Sequence, residues 1–210
     1  GLDTVALRVP AHDVAHRLLD AAARPLAAPS ANPSGRLSPT EAIHVIEGLG
    51  GEDALSFVLD GGPCSLGLES TVVGLPKNGP STLLRPGAIP RGEIEAVLGH
   101  PLEDPDAPGG EEGRSSPGML ASHYAPSASL RLNATECSED EMLLGFGEVD
   151  CALNLSRNGD VREAAANLFS MLRRLDAEAG GKSLAVSPIP MDGLGEAIND
   201  RLARAAAPRD

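Results

Sequence analysis

A strand–helix–strand pattern runs through residues 142–188, MLLGFGEVDCALNLSRNGDVREAAANLFSMLRRLDAEAGGKSLAVSP. Its short apolar runs predict strands at Met142–Phe146, Cys151–Leu155 and Ser183–Pro188. Before the last strand, leucines at helical spacing predict an amphipathic helix over Asp160–Ala179, and a closing helix follows at Leu194–Ala206. This order predicts parallel strands joined by a right-handed crossover, so we expect residues 127–210 to form a small Rossmann-like α/β domain.

The sequence of residues 1–99 predicts another α/β domain, in which some of the strands pair in antiparallel orientation. Its expected strands are Thr4–Val9, Leu26–Pro29, Leu55–Leu59, Ser70–Leu75 and Ser81–Leu84. Its expected helices are His12–Ala23, Ser38–Leu49 and Glu93–Leu98. A turn at Lys77–Pro80 is typical of a hairpin between the last two strands. The run Ser38-Pro39-Thr40-Glu41 matches a capping box, which predicts that the Ser38 side chain caps its helix.

Residues 100–126 have the composition of a linker, because proline, glycine and acidic residues are frequent in them. Within this linker, Ser116–Pro126 (SPGMLASHYAP) adds Met, Leu, His and Tyr, which a plain spacer does not need. We therefore expect this segment to dock on a neighbouring surface. His123 and Tyr124 could close over a site as a lid; the alternative is that they only anchor the linker.

The overall charge excludes some classes of partner. With Lys+Arg 17 against Asp+Glu 30, the formal net charge is −13, and a surface of this sign repels nucleic-acid phosphates. Aromatic residues make up 2% of the chain, too few for a platform on which bases stack. Broad binding to RNA or DNA is therefore not expected, whereas a small nucleotide held by a few aimed groups is compatible with this composition.

The compartment is indicated by what the sequence lacks. No apolar run reaches the roughly 20 residues of a membrane span, and the opening GLDTVALRVP has no secretion-signal pattern. Cysteines 64, 137 and 151 contain no C-x-x-C, and the five histidines show no metal-ligand spacing. We expect a cytoplasmic protein with no membrane association and no structural metal site.

Two polar side chains follow the expected strand at Leu26–Pro29. Ser30 offers a hydroxyl and Asn32 an amide at the carboxyl end of this strand, which is where open α/β sheets bind ligands. The helix predicted to begin at Ser38 would add backbone N–H groups and the positive end of its dipole. These groups could cradle a phosphate; equally, Ser30 and Asn32 could only shape a turn, and Ser38 only cap.

Two arginines lie on separate predicted strands. Arg85 ends the apolar run Leu83-Leu84 just before a Pro-Gly turn, and Arg8 lies inside TVALRV. A half-buried guanidinium favours an anionic partner such as a phosphate or a carboxylate. An ion pair with one of the chain's own acids is the alternative for Arg85. Glu69-Ser70-Thr71 follows a glycine-rich loop, which lets a backbone approach a ligand but is also compatible with a plain loop.

Several motifs occur in a fixed order along the chain. They are Ser30-Ala31-Asn32-Pro33-Ser34-Gly35 with Ser38-Pro39-Thr40, Asp60-Gly61-Gly62, Glu69-Ser70-Thr71-Val72, LRPGAI at 84–89, SPGM at 116–119 with HYAP at 123–126, and GLGEAINDRL at 193–202. This set resembles the YrdC-like family, and in its two-domain form the threonylcarbamoyl-AMP synthases. The resemblance implies a YrdC-like twisted-sheet domain, here truncated, joined by the Pro/Gly-rich linker to the Rossmann-like domain.

The resemblance also implies an activity and a set of roles. L-threonine, bicarbonate and ATP would give threonylcarbamoyl-adenylate and pyrophosphate, a nucleotidyltransferase reaction whose product passes to the tRNA threonylcarbamoyl-transferase machinery that modifies adenosine 37. Mg²⁺ would accompany ATP, although no acidic cluster in the sequence marks a metal cage. The implied threonine-binding residues are Thr4, Arg8, Ala28 and Ser70. The implied ATP-binding residues are Ser30, Asn32, Ser38, Arg85, His123 and Tyr124, and no catalytic nucleophile is implied.

The sequence departs from the family pattern at two places, and two other functions are alternatives to this interpretation. The family's catalytic domain has a further N-terminal half, so the chain by itself is expected to be inactive. Leu120-Ala121-Ser122 stands where basic residues are expected. One alternative is a carbamoyltransferase of hydrogenase maturation, which would also carry acylphosphatase-like and zinc-finger segments. The other is a non-catalytic nucleotide- or RNA-binding module, against which the net charge argues.

Overall fold

The computed structural model describes residues 4–51, 55–105 and 124–208. The helices are α1 (Asp13–Ala22), α2 (Ala42–Leu49), α3 (Arg91–Leu98), α4 (Val161–Glu178) and α5 (Leu194–Ala206). The strands are β1 (Val72–Gly74), β2 (Thr82–Arg85), β3 (Leu130–Arg131), β4 (Glu141–Gly145), β5 (Leu153–Asn154) and β6 (Ser183–Val186). None of the helices in these ranges is long and apolar enough to cross a bilayer.

A four-stranded parallel sheet forms the C-terminal part of the fold, in the order β3-β6-β4-β5. The helices α4 and α5 contribute to the same core, in which Leu144, Leu168, Leu184 and Ile198 are fully buried. Asp160 begins α4, since its carboxylate accepts hydrogen bonds from two backbone N–H groups of the first turn. The strand–helix–strand prediction is confirmed, with β3 as an edge strand too short for the sequence pattern to reveal.

The strands β1 and β2 form an antiparallel hairpin, as the turn at Lys77–Pro80 predicts. On the other side of β2 the chain returns after α3 and Glu103 pairs with the strand's backbone. The Leu83 N–H donates to the Glu103 carbonyl at 2.8 Å, and the Glu103 N–H donates to the Ser81 carbonyl at 2.9 Å. These bonds fix the beginning of β2, the strand that ends at Arg85.

Three of the expected strands are irregular in the structure: Thr4–Val9, Leu26–Pro29 and Leu55–Leu59. Within the described residues no strand pairs with them, and Val5, Leu7 and Val9 are 78%, 87% and 85% exposed. Alternating apolar residues form a strand only where a neighbour offers backbone partners and a face to bury them. The run before Ser30 is also exposed, with Leu26 at 45%, so the expectation that a buried strand ends there is wrong.

The helix α2 begins at Ala42, later than the capping-box pattern predicts. Its N-cap residue is Glu41, and no side chain caps it. The Ser38 hydroxyl instead donates to Oε1 of Glu69 at 2.7 Å. The capping prediction is wrong because a charged acceptor in the folded chain competes for this hydroxyl, and a local sequence pattern does not show that acceptor.

The loops of the first part pack directly against α4. Leu37 and Leu68 lie in the main core together with the side chains of that helix. The Gly67 N–H donates to the Ala165 carbonyl at 3.1 Å, and a Cβ on Gly67 would lie 2.5 Å from that oxygen. Arg173 Nη2 donates to the Leu37 carbonyl at 3.0 Å. Because both parts share one core, the loops that carry Ser38 and Glu69 are fixed relative to α4 and α5.

Candidate functional site

Two guanidinium groups meet at Ser70. Arg8 Nη1 donates to the Ser70 hydroxyl at 3.5 Å, while Arg85 donates to the Ser70 carbonyl from Nη2 at 2.8 Å and from Nε at 3.3 Å. Arg85 is buried and Arg8 is exposed. Burial and the nearby Arg201 guanidinium lower the pKa of Arg85. The site therefore brings two guanidinium groups to one serine, one of them in buried surroundings, and a guanidinium suits an anionic ligand.

A close backbone approach shapes this meeting point. The backbone of Gly87 lies so near residues 69–71 that a Cβ would be 2.4 Å from the Glu69 carbonyl oxygen and 2.5 Å from the Thr71 nitrogen. The Ala88 N–H donates to the same Glu69 carbonyl at 3.0 Å. Only glycine permits such contact without displacement. The turn after β2 is thereby held against the segment that carries Ser70.

The Glu69 carboxylate lies between two elements of the site. Its Oε1 accepts from the Ser38 hydroxyl at 2.7 Å, and its Oε2 accepts from Nε of Arg201 at 2.8 Å. Burial favours the neutral carboxyl, but the Arg201 guanidinium and the hydrogen bonds from Ser38 and Arg201 outweigh this effect and lower the pKa of Glu69. Glu69 is therefore ionised at neutral pH and links the loop before α2 to helix α5.

Arg201 is the most deeply buried charge of the cluster, with a side chain 1% exposed. Besides its bond to Glu69, Nη1 donates to the Asp200 carboxylate and Nη2 donates to the Pro86 carbonyl at 3.0 Å. Its guanidinium carbon lies 5.3 Å from the centre of the Tyr124 ring, within cation–π range. The Arg201 charge is thus paired, and the helix α5 reaches the residues next to Arg85.

Tyr124 is buried and packs between the two parts of the fold. Its ring centre lies 5.4 Å from that of Phe169 on α4, and its side chain lies near the Arg85 guanidinium. Its φ of +61° lies in the left-handed region that residues other than glycine rarely adopt. Burial and the Glu69 carboxylate raise the pKa of Tyr124. Tyr124–Pro126, the described end of the segment expected to dock, is buried, while residues 116–123 lie outside the described residues and their docking stays a prediction.

The structure brings together only some of the residues that the sequence singles out. Arg8, Ser38, Ser70, Arg85 and Tyr124 are joined directly or through Glu69 and Arg201. Thr4, Ala28 and Ser30 are exposed, and within the described ranges no hydrogen bond ties them to this cluster. His123 lies outside the described residues, and its expected role stays a prediction.

Asn32 supports its own loop. Its Nδ2 donates to the carbonyls of Pro33 and Arg36, both at 3.0 Å. Its Oδ1 is buried and accepts no hydrogen bond from the described residues. The turn-forming role left open by the sequence is therefore present, and one acceptor remains for another group.

Sequence reasoning did not assign Glu69 or Arg201 a role in the site. Both belong to motifs that carry the family resemblance, Glu69-Ser70-Thr71 and the run ending Asn199-Asp200-Arg201-Leu202. The available signal for Arg201 was its place on the apolar face of an amphipathic helix, where an unpaired charge would be unfavourable. Within the described residues, no group of three or more His, Cys, Asp or Glu side chains is placed to hold a metal ion.

Family models match the chain from Gly1 to residue 207, apart from Ala88. A model described as threonylcarbamoyl-AMP synthase, C-terminal domain, matches residues 89–207, and one described as telomere recombination matches residues 1–87. The chain belongs to the threonylcarbamoyl-AMP synthase family. The resemblance that the ordered motifs indicate is thereby confirmed.

Curated members of the threonylcarbamoyl-AMP synthase family are similar over the whole chain. The synthase of Pyrococcus abyssi (strain GE5 / Orsay) is 37% identical over 227 residues, covering 100% of this chain and 66% of that protein. The synthase of Bacillus subtilis (strain 168) is 36% identical over 228 residues, covering 100% and 65%. The synthase of Schizosaccharomyces pombe (strain 972 / ATCC 24843) is 33% identical over 255 residues, covering 99% and 58%. The chain therefore spans about two thirds of the length of the first two relatives.

Solved structures of the same family share the fold. The crystal structure of P. abyssi Sua5 complexed with L-threonine has a TM-score of 0.84 and 36% identity, covering 98% of this chain and 65% of the other. The structure of the H234A/Y235A form of P. abyssi Sua5 has a TM-score of 0.76 and 32% identity, covering 98% and 63%. These similarities confirm the expected α/β fold of the threonylcarbamoyl-AMP synthases.

Proposed function

We propose that the protein acts as an L-threonylcarbamoyladenylate synthase, a nucleotidyltransferase that converts L-threonine, bicarbonate and ATP into threonylcarbamoyl-adenylate and pyrophosphate. Its product would pass to the machinery that installs the threonylcarbamoyl group on adenosine 37 of tRNA. Family membership supports the reaction class. The observation that carries the proposal for this chain is the convergence of Arg8 and Arg85 on Ser70.

The threonine side of the site would be formed by Thr4, Arg8, Ala28 and Ser70. Arg8 is exposed and close to the Ser70 hydroxyl, so it is placed to pair with a carboxylate that arrives from solvent. The Ser70 hydroxyl can both donate to and accept from a polar ligand. That a relative has been crystallised with L-threonine is consistent with this assignment.

The ATP side would be formed by Ser30, Asn32, Ser38, Arg85 and the pair His123 and Tyr124. The Arg85 guanidinium suits the multiple oxygens of a phosphate chain. The orphaned Oδ1 of Asn32 offers an acceptor. In the same proposal, residues 100–126 act as a linker whose His123 and Tyr124 close the pocket between residues 1–99 and residues 127–210.

The chemistry requires positioning more than a covalent nucleophile. The threonine amine would first form a bond to the carbon of bicarbonate, with loss of water, to give N-carboxythreonine. A carbamate oxygen of this species would then form a bond to the α-phosphorus of ATP, and the bond from that phosphorus to the leaving pyrophosphate would break. The guanidiniums would offset phosphate charge, and the shared core beneath Tyr124 would keep water from the labile carbamate. Mg²⁺ would enter as the cation of its ATP complex, since the described residues offer no metal cage.

The composition supports two further parts of the proposal. The net charge of −13 argues against direct binding of bulk nucleic acid, so the modified tRNA would be handled by a partner. The three cysteines are free, which is compatible with the reducing conditions of a cytoplasm.

Calorimetric titration with ATP tests the proposal without depending on turnover. The intact protein should bind ATP, and Arg85→Ala should weaken binding by about 1.5–3 kcal/mol, roughly 10- to 150-fold, because a charged contact to phosphate is lost. Arg91→Ala is the matched control, since it removes another partly buried arginine that bonds to Glu196 and Asp104 away from Ser70. Unchanged affinity in folded Arg85→Ala would remove Arg85 from the site.

A further inference from the structure

Within the described residues, two ion pairs join helix α5 to the first part of the fold. Arg201 bonds to Glu69, and Glu196 accepts from Arg91 with Nη2 at 2.9 Å. The Arg91 pair is more exposed, with side chains 26% and 28% accessible. The Arg201 side chain is 1% accessible. The Arg91–Glu196 pair therefore serves as a reference for a contact that only docks α5, against which a more specific role of Arg201 is compared.

Within the described residues, the partners of Arg201 outside α5 belong to the candidate site or directly adjoin one of its residues. Glu69 accepts from the Ser38 hydroxyl and directly precedes Ser70. Pro86, whose carbonyl accepts from Arg201, directly follows Arg85. Tyr124, whose ring lies 5.3 Å from the Arg201 guanidinium carbon, is itself one of the proposed ATP-side residues and lies near Arg85. Arg201 thus contacts residues that adjoin both the proposed threonine-binding residue Ser70 and the proposed ATP-binding residue Arg85.

The chemistry of the guanidinium explains why this position suits arginine. Nε, Nη1 and Nη2 each donate to a different acceptor, which satisfies a charge that would otherwise be costly to bury. Lysine could not reproduce this planar fork, and an apolar side chain would fill the space without fixing the direction of Glu69. Packing alone does not require such a set of directed bonds.

We infer that Arg201 is a positioning residue for ATP binding: from α5 it orients Glu69, and through it Ser38, together with Tyr124 and the turn after Arg85. This inference rests on the proposed function. It makes the C-terminal helix part of the machinery that prepares the nucleotide wall, although Arg201 itself does not contact substrate.

The test compares Arg201→Met with Arg91→Met in two measurements. The first is the affinity for ATP by calorimetry. The second is the fluorescence of Tyr124, which is the one Tyr of this chain. We expect Arg201→Met to weaken ATP binding roughly tenfold, the scale of coupling between linked sites, and to change the Tyr124 emission. Arg91→Met should change neither, although it also removes a bond to α5.

Glu69→Gln provides a second variant in case Arg201→Met does not fold. It keeps the size of the side chain and removes its charge, and should weaken ATP binding in the same direction. Equal loss of ATP affinity in the Arg201 and Arg91 variants would reduce Arg201 to a docking contact and overturn the inference, as would unchanged affinity in folded Arg201→Met. A wild-type protein that binds no ATP would instead refute the proposed function, and the inference with it.

Discussion

Removal of the Glu69 carboxylate should strongly lower the free energy of unfolding. Glu69→Ala takes a charged partner from the Arg201 guanidinium, which is 1% exposed. Breaking a buried ion pair by removing one partner costs about 3–5 kcal/mol, because the remaining charge stays desolvated. Asp200 still bonds to Arg201 in this variant. We therefore expect the lower end of the range, about 3 kcal/mol.

Urea unfolding followed by circular dichroism measures this free energy. The control is Glu178→Ala, which breaks the pair between Arg174 and Glu178, whose side chains are 65% and 47% exposed. An exposed pair four residues apart on a helix contributes about 0.3–0.5 kcal/mol, so this variant should remain close to wild type. A loss below about 1 kcal/mol in Glu69→Ala would refute the view that the Arg201 charge depends on Glu69 for its stabilisation in the core.

The same pair predicts how stability depends on pH. Because folding lowers the pKa of Glu69 from its ordinary value of 4.5, its contribution is complete above pH 4.5. It is lost as the pH falls through the lower pKa of the folded state. The difference in unfolding free energy between wild type and Glu69→Ala should therefore be constant near neutral pH and shrink below pH 4.5. A difference that grows on acidification would contradict this sign.

Two other predictions test the shape and the charge of the site. Gly87→Ala should lower both the melting temperature and the ATP affinity, because the added Cβ would lie 2.4 Å from the Glu69 carbonyl oxygen. The control is Gly92→Ala, whose added Cβ would have no atom from outside its own helix within 4 Å. Equal tolerance of both substitutions, seen by calorimetry, would mean that the turn is not held tightly. A gel-shift assay with unmodified tRNA at physiological salt should show no complex, because the net charge is −13; a stable complex would favour an RNA-binding module.

The sequence predicts the C-terminal part of the fold well because its signals are local. The regularly spaced leucines of α4 and the apolar residues of β4 and β6 are buried in the core, as their sequence patterns predict. The run Thr4–Val9 carries an equally regular pattern, yet it is irregular in the structure. A strand depends on partners distant in sequence, whereas a helix supplies its own hydrogen bonds. The periodicity of a single segment therefore predicts helices more reliably than strands.

The site shows the same division between local and distant information. Motif order points to Ser38, Ser70 and Arg85, and the structure links all of them. The roles of Glu69 and Arg201 depend on a contact between residues 132 positions apart, which no spacing rule reveals. The prediction that Ser38 caps α2 is wrong for the same reason. Its hydroxyl bonds to the Glu69 carboxylate, which is distant in sequence, and not to the nearby end of the helix.

The most direct test of the central claim is a crystal structure of the protein with L-threonine and a non-hydrolysable ATP analogue. Both ligands should occupy one hollow beside Ser70, with the threonine carboxylate at Arg8 and the phosphate chain at Arg85. A nucleotide bound elsewhere, with both guanidiniums facing away from it, would show that Arg8 and Arg85 do not form a shared substrate site.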